Sequence, residues 1–475
     1  MTDKTKKVGL IGLIAIVFTS MVGSSVYNLP QNMADGASAG AVLIAWIITG
    51  IGMYFLAQTF KVLSDSRPDI TSGIYMYAIK GFGNYTGFNS AWGYWVSGAV
   101  GNVAFAVMLN DAVGYFYPPL LSHGWQTIVF SLVFIWLMTF IVMNGVEFAT
   151  KINSFSTFVI LMAMVAIIVV LAYYFSWDKF VSNFWSKGSH LGSTGHQVSG
   201  TMMVTLWSFI GIEGAVVIAG RAKRNRDIGK ATIIGLFAAL VIYMLVSLLS
   251  FGILDQSQLA ALKTPSAGYV MAADAGSWAT EFVNISVIIS ILISWLAWTV
   301  LVAEVPHDAA RDGILPKIFD RENQKTSPVS ALIITGLLMS IMMFIVIFAN
   351  NVYLAAISIA SVMIIPPYVL SAGYLWKAAE EKEIIKDKYK LRMKALGIGA
   401  GATLYGGWLL YSAGVNYLLM SSIFYMVGIP FYYAARKEDL KKGKVFSGWE
   451  RILAAIIVIF AAIAVFYMFE GKLRP

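Results

Sequence analysis

One run of nine residues holds an indole, a carboxylate and two glycines: Trp207-Ser208-Phe209-Ile210-Gly211-Ile212-Glu213-Gly214-Ala215. It sits in the middle of an apolar segment, about residues 200–220, long enough to cross a bilayer. A carboxylate at that depth costs on the order of 2.5–3.5 kcal/mol even on the lenient insertion scale, so Glu213 must face a partner or a wet cavity. Gly211 and Gly214 weaken the helix at mid-depth, and a broken helix is tolerated where its freed backbone groups line such a cavity. Two readings are open. The plain one is a packing glycine pair with Glu213 bonded to a neighbouring helix; the favoured one is a substrate site built on a discontinuous helix. A second stretch has the same character: Val22-Gly23-Ser24-Ser25-Val26, also within an apolar segment. Small polar residues there free amide N–H groups at a half-helix N-terminus, which suits a carboxylate or another anion.

Other chemistries find no residues. The chain has no cysteine, and His123, His190, His196 and His307 are scattered without ligand spacing, so neither a metal site nor a cofactor is expected. Glu213 has no catalytic partner at helical spacing, so an intramembrane enzyme is not expected either.

The elements that position these residues follow from composition. Of 475 residues, 58% are hydrophobic and 12% charged, with a mean hydropathy of +0.73. A soluble chain carries about 25% charged residues, so this is an all-α polytopic membrane protein. Thirteen spans are expected: about 8–30, 40–62, 88–117, 125–147, 154–175, 200–220, 230–254, 278–305, 329–349, 352–376, 395–414, 417–435 and 449–470. The first is too long for a signal peptide and lacks a small-residue cleavage site.

With the N-terminus inside, alternate loops collect 29 of the 34 Lys and Arg residues, leaving only Lys179, Lys187, Lys263, Lys472 and Arg474 outside. That asymmetry predicts a cytoplasmic N-terminus, and it accounts for the net charge of +9 by topology rather than by a nucleic-acid or lipid-headgroup partner. Five spans precede the 200–220 segment. Five is odd, so a second five-span unit enters the membrane in the opposite sense. Two inverted five-helix repeats with broken first helices result, about 8–175 and 200–376, with the site at their interface. Residues 377–394 read as a solvated, helical cytoplasmic linker, and 395–475 as two or three additional C-terminal spans.

The motifs resemble the amino acid–polyamine–organocation superfamily, specifically its basic amino acid/polyamine antiporters and most of all the arginine/ornithine antiporters. The likeness runs through Met21-Val22-Gly23-Ser24-Ser25-Val26-Tyr27-Asn28-Leu29-Pro30, Ser72-Gly73-Ile74-Tyr75-Met76-Tyr77-Ala78, Tyr94-Trp95 to Gly101-Asn102, the Trp207–Glu213 run, Ala303-Glu304-Val305-Pro306 and Arg311-Asp312-Gly313-Ile314-Leu315-Pro316. It covers essentially the whole chain. The resemblance implies that Gly23, Ser24 and Ser25 take a substrate α-carboxylate, and that carbonyls around Trp207 and Ile210 take the α-amino group. It also implies that Trp298 stacks on the cationic end, with Trp295 ranked second, and that Asn102 lies near the distal end. Tyr94, Trp207, Glu213 and Tyr353 match gating residues. Glu304 is a candidate inner-gate partner for a cytoplasmic cation. Three positions depart from the pattern: Gly-Ser-Ser in span one, Ser20 where arginine/agmatine exchangers carry asparagine, and Ala360 where they carry serine.

The implied function is exchange, across the cell membrane, of a cationic amino acid for its metabolic product, arginine against ornithine first. Alternatives are an agmatine/putrescine or histidine/histamine exchanger, or a proton-coupled symporter; from another class, a receptor or a pore. No Lys or Arg falls within 152–177, where some relatives place a residue that substitutes for sodium, so substrate gradients alone suffice as the drive. Expected partners are small cationic amino acids or polyamines and the lipid bilayer, with a homodimer allowed and no nucleic acid.

Overall fold

The computed structural model describes residues 8–70, 74–122, 124–185, 191–217, 222–346, 352–385, 388–438 and 445–473. Met1 to Lys7, Ser72-Gly73, His123, Lys187, His190, residues 218–221 and 347–351, Lys386, the loop lysines of 439–444 and Arg474 lie outside them, as does the side chain of Lys151.

Helices account for the described chain almost throughout. Span one is broken: α1 (Leu10–Met21) is followed by a 3-10 turn (Ser25–Asn28) and then α2 (Leu29–Gly36). Next come α3 (Ala39–Ser66), the short α4 (Tyr75–Phe82), α5 (Asn84–Gly114), α6 (Trp125–Met143) and α7 (Val146–Tyr173). The chain then turns through 94° into α8 (Trp177–Asn183). The second half repeats the scheme. It opens on a broken span, α9 (Thr194–Phe209) and α10 (Gly214–Val217), and continues with α11 (Asn225–Ser250), two short loop helices α12 (Gln256–Ala260) and α13 (Ser266–Ala275), α14 (Trp278–Arg311), α15 (Val329–Val346) and α16 (Val352–Glu380). Two elements complete the chain, α17 (Tyr389–Glu438) and α18 (Gly448–Phe469). Among the described residues, nine helices are long and apolar enough to cross a membrane, counting Leu10–Gly36 as one interrupted span.

Equivalent spans of the two halves pack on each other: α3 against α11, and α5 against α14. That pairing builds the core between the halves, and α5 is buried along nearly its whole length. The expected spans eleven and twelve are two helices within α17, which meet at a kink where Gly414 leaves the helical region (φ +73°, ψ 161°). α18 packs against α17 alone among the described elements with substantial contact.

Two expectations are corrected. Span eight does not stop before Pro306: α14 runs through it to Arg311. The proline forfeits one backbone bond in the last turns, where neighbours or water can compensate. The linker is not one helix. α16 extends to Glu380, the chain turns with positive φ at Lys382 (58°) and Ile385 (54°), and α17 restarts at Tyr389.

One face of the protein carries Arg67, Arg311 and Lys377 and is called the basic face below. Arg67 chelates Asp69 there (Nε–Oδ1 2.9 Å, Nη2–Oδ2 2.8 Å) and reaches Glu383 Oε1 at 2.6 Å and the Tyr374 hydroxyl. The guanidinium holds the Asp69 carboxyl below the usual carboxylate range, and its own pKa is raised in return.

Candidate substrate site

The two helix breaks meet. α1 ends at Val22, whose ψ of 58° leaves the helical region, and Gly23 N–H turns back onto Met21 O at 3.0 Å. The next backbone bond in this stretch is Tyr27 N–H to Ser24 O at 3.3 Å. The Ser24 and Ser25 amides thus head a new helical turn, where N–H groups have no intrahelical acceptor. In the second half, Ile210 is extended (ψ 128°) and Gly211 has φ +108°. A Cβ on Gly211 would stand 2.8 Å from the Ser20 backbone. Both its φ and this close approach require glycine. Ser20 Oγ lies 3.0 Å from Gly211 O, bridging one break to the other.

A small cavity of about 20 Å³ lies between them. Six of the expected site residues, Ser20, Ser24, Ser25, Trp207, Ile210 and Trp298, line it. Met21, Ser97, Gly98, Gly101 and Phe105 complete the wall and were not expected. The small residues of α5 at 97, 98 and 101 leave room on its inner face; a Cβ on Gly101 would already press within 3.1 Å of the Trp207 ring. The Gly98/Gly101 spacing beside Asn102 was the available signal. Every non-glycine lining residue is at most 8% exposed, so the site is occluded.

Its polar equipment is unusual for a buried region. Ser24 Oγ, Ser25 Oγ, Trp207 Nε1 and the Tyr353 hydroxyl are buried and make no hydrogen bond within 3.5 Å, with Tyr353 facing Ser24 and Trp207, and Tyr243 facing Ser25, at longer range; such buried groups are normally paired. A polar ligand would satisfy them. Trp298 is pinned instead: its Nε1–H donates to Ser20 O at 2.9 Å. Trp295 is fully buried and does not line the cavity. Ser97 Oγ lies 2.7 Å from Ala360 O, so the position that departs from serine is backed by another hydroxyl. Gly23 adjoins the cavity, held close to Ser294 and Phe105. Asn102 is fully buried with both amide atoms unpartnered, one residue off the lining face.

The gating candidates fall into two groups along the span axis. Trp207 precedes the α9 break, and Tyr353 faces it and Ser24. Glu213 follows the break. Its Oε2 accepts from the Tyr368 hydroxyl at 2.5 Å and from Gly211 N–H at 3.2 Å, and Tyr94 faces the same carboxylate. Tyr353 and Tyr368 are fifteen residues apart on α16, about 22 Å of helix, so the two groups flank the cavity from opposite sides. Tyr368 was not foreseen; a tyrosine inside a span reads as packing. Glu304 is half-buried on α14, one turn before Asp308 on the basic side. No cluster of three or more metal-binding side chains occurs among the described residues.

Comparison with known proteins bears on what such a cavity holds. Residues 8–463 match the amino acid permease family. A Clostridium perfringens protein named as an amino-acid transporter, with no particular amino acid in the name, is 42% identical over 98% of this chain and 99% of its own length. Arginine/agmatine antiporters of Chlamydia felis and Chlamydia pneumoniae are 42% and 40% identical. They cover 99% and 100% of this chain, and the match spans 98% and 99% of their own.

Proposed function

The chain belongs to the amino acid permease family, and we propose that it exchanges arginine for a cationic product of arginine metabolism by alternating access. The observation that carries the reading is one occluded cavity joining the free Ser24 and Ser25 amides to the Trp298 ring. In this reading the amides take the α-carboxylate, and carbonyls near Trp207 and Ile210 take the α-amino group. Trp298 takes the guanidinium by cation–π attraction, about 2 kcal/mol when desolvated. The cavity wall contains no charged residue, so nothing repels a cation. Trp207 with Tyr353 gates one side and Glu213 with Tyr94 and Tyr368 the other, so that breaking one set at a time opens the site to one face. Asn102 becomes a second-position contact once the α5 face turns, and Glu304 pairs with a cation of the basic face when that side is shut. The N-terminus and the basic face are cytoplasmic in this reading, from the charge asymmetry of the loops.

Ornithine is the first counter-substrate, because it presents the same α-carboxylate to Ser24 and Ser25. Agmatine is the second, supported by the names of the Chlamydia relatives. Vesicles loaded with one or the other decide between them. Faster labelled-arginine entry against luminal ornithine supports the first pair; entry only against agmatine overturns it in favour of the second.

A further inference from the structure

α3 and α17 touch tightly inside the membrane and part towards the basic face. A Cβ on Gly52 would fall 2.2 Å from the Tyr405 ring, and one on Gly401 3.1 Å from Phe55. Beyond these contacts the helices diverge around a groove of about 510 Å³. Its walls are two helical stripes: Gln58, Lys61, Val62, Asp65 and Ser66 from α3, and Leu391, Lys394, Ala395 and Ile398 from α17, with Lys388 just before α17 starts. Such spacings put each set on one helix face.

The groove is amphipathic. Lys61 stands beside Asp65 on the α3 wall and Lys388 and Lys394 face them from the other, and among the described residues none of the three lysines makes an ion pair within 4.0 Å. Val62, Leu391 and Ile398 supply an apolar wall beside them, with Leu391 half-exposed. The loop-charge pattern treats these lysines only as topology signals, yet folding brings together residues more than 300 positions apart in the chain.

We propose that this groove binds one anionic phospholipid of the leaflet on the basic side, its phosphate and headgroup among Lys61, Lys388 and Lys394. Its acyl chain then lies along Val62, Leu391 and Ile398. Basic pockets between spans recognise headgroups in this way, and acyl contact covers apolar surface that free phosphate would leave open. The lipid would tie the C-terminal α17 to the transporter core at α3.

Native mass spectrometry of the full chain in detergent tests this, with phosphatidylglycerol, phosphatidylcholine or inorganic phosphate added. Retention of one phosphatidylglycerol is expected, with little phosphatidylcholine and no competition by millimolar phosphate. In K61Q/K388Q/K394Q affinity should fall roughly 100-fold, about fivefold per lysine, while K61R/K388R/K394R retains it. Thermal melting checks that the variants are folded; if the triple glutamine variant is not, K61Q and K394Q singly should each lose about fivefold. Equal retention by the glutamine variants, equal binding of phosphatidylcholine, or displacement by phosphate overturns the proposal.

Discussion

The indole N–H of Trp298 donates to the carbonyl of Ser20 at 2.9 Å, so the ring expected to meet the cation is fixed at its edge by the broken span it faces. Pre-organisation of this kind lowers the entropy lost on binding. Trp298→Ala should therefore weaken arginine by about 2 kcal/mol, roughly 30-fold in Kd. Calorimetry in detergent reads this directly, and an unchanged Kd removes the stacking assignment.

Gly211→Ala should be costly. It places a Cβ 2.8 Å from the Ser20 backbone at a φ of +108°, and a non-glycine residue in such strain costs of order 1–3 kcal/mol before any clash is counted. A clear drop in melting temperature is expected. Gly407→Ala, where a Cβ meets nothing within 4 Å, should leave it nearly unchanged.

Glu213→Gln and Tyr368→Phe remove opposite ends of one contact. Each should slow turnover more than it weakens binding, and the double variant should be little worse than either single one, as expected for coupled groups. Additive losses in rate would show that the two act separately. A Glu213 variant losing affinity and rate equally would be a direct ligand.

Arg67→Ala releases Asp69, Glu383 and Tyr374 together. With Asp69 60% exposed, little stability is at stake, but the basic face should open more often. The chain has no cysteine, so a single cysteine at Ser97 can be labelled from that side, faster in the variant. The Asp69 carboxyl is held below its ordinary range in the fold. Its contribution is therefore present above the unfolded pKa and lost as pH falls through the folded one. Wild-type labelling should thus rise toward the variant's rate only in acid. Equal labelling of both at neutral pH would show that Arg67 holds nothing shut.

Glycines and small polar residues at mid-span made both helix breaks legible, because few other roles put Gly-Ser-Ser or Gly-Ile-Glu-Gly there. The spans were legible from hydropathy, and the two-half plan from an odd count. Tyr368 was not, since its role depends on where α16 places it relative to α10. Nor were Ser97 and Phe105, which join the cavity through the rotation of α5. The turn at Lys382 and Ile385 carries neither glycine nor proline to announce it. Pro306, conversely, announces an end that does not occur.

Uptake of labelled arginine into proteoliposomes, with ornithine, agmatine or buffer alone inside and no ion gradient, tests the central claim of exchange through this cavity. Rapid uptake with a loaded lumen, absent with an empty one and lost in Trp298→Ala at low arginine, is the predicted result. Uptake into empty vesicles driven by a proton or sodium gradient would contradict it.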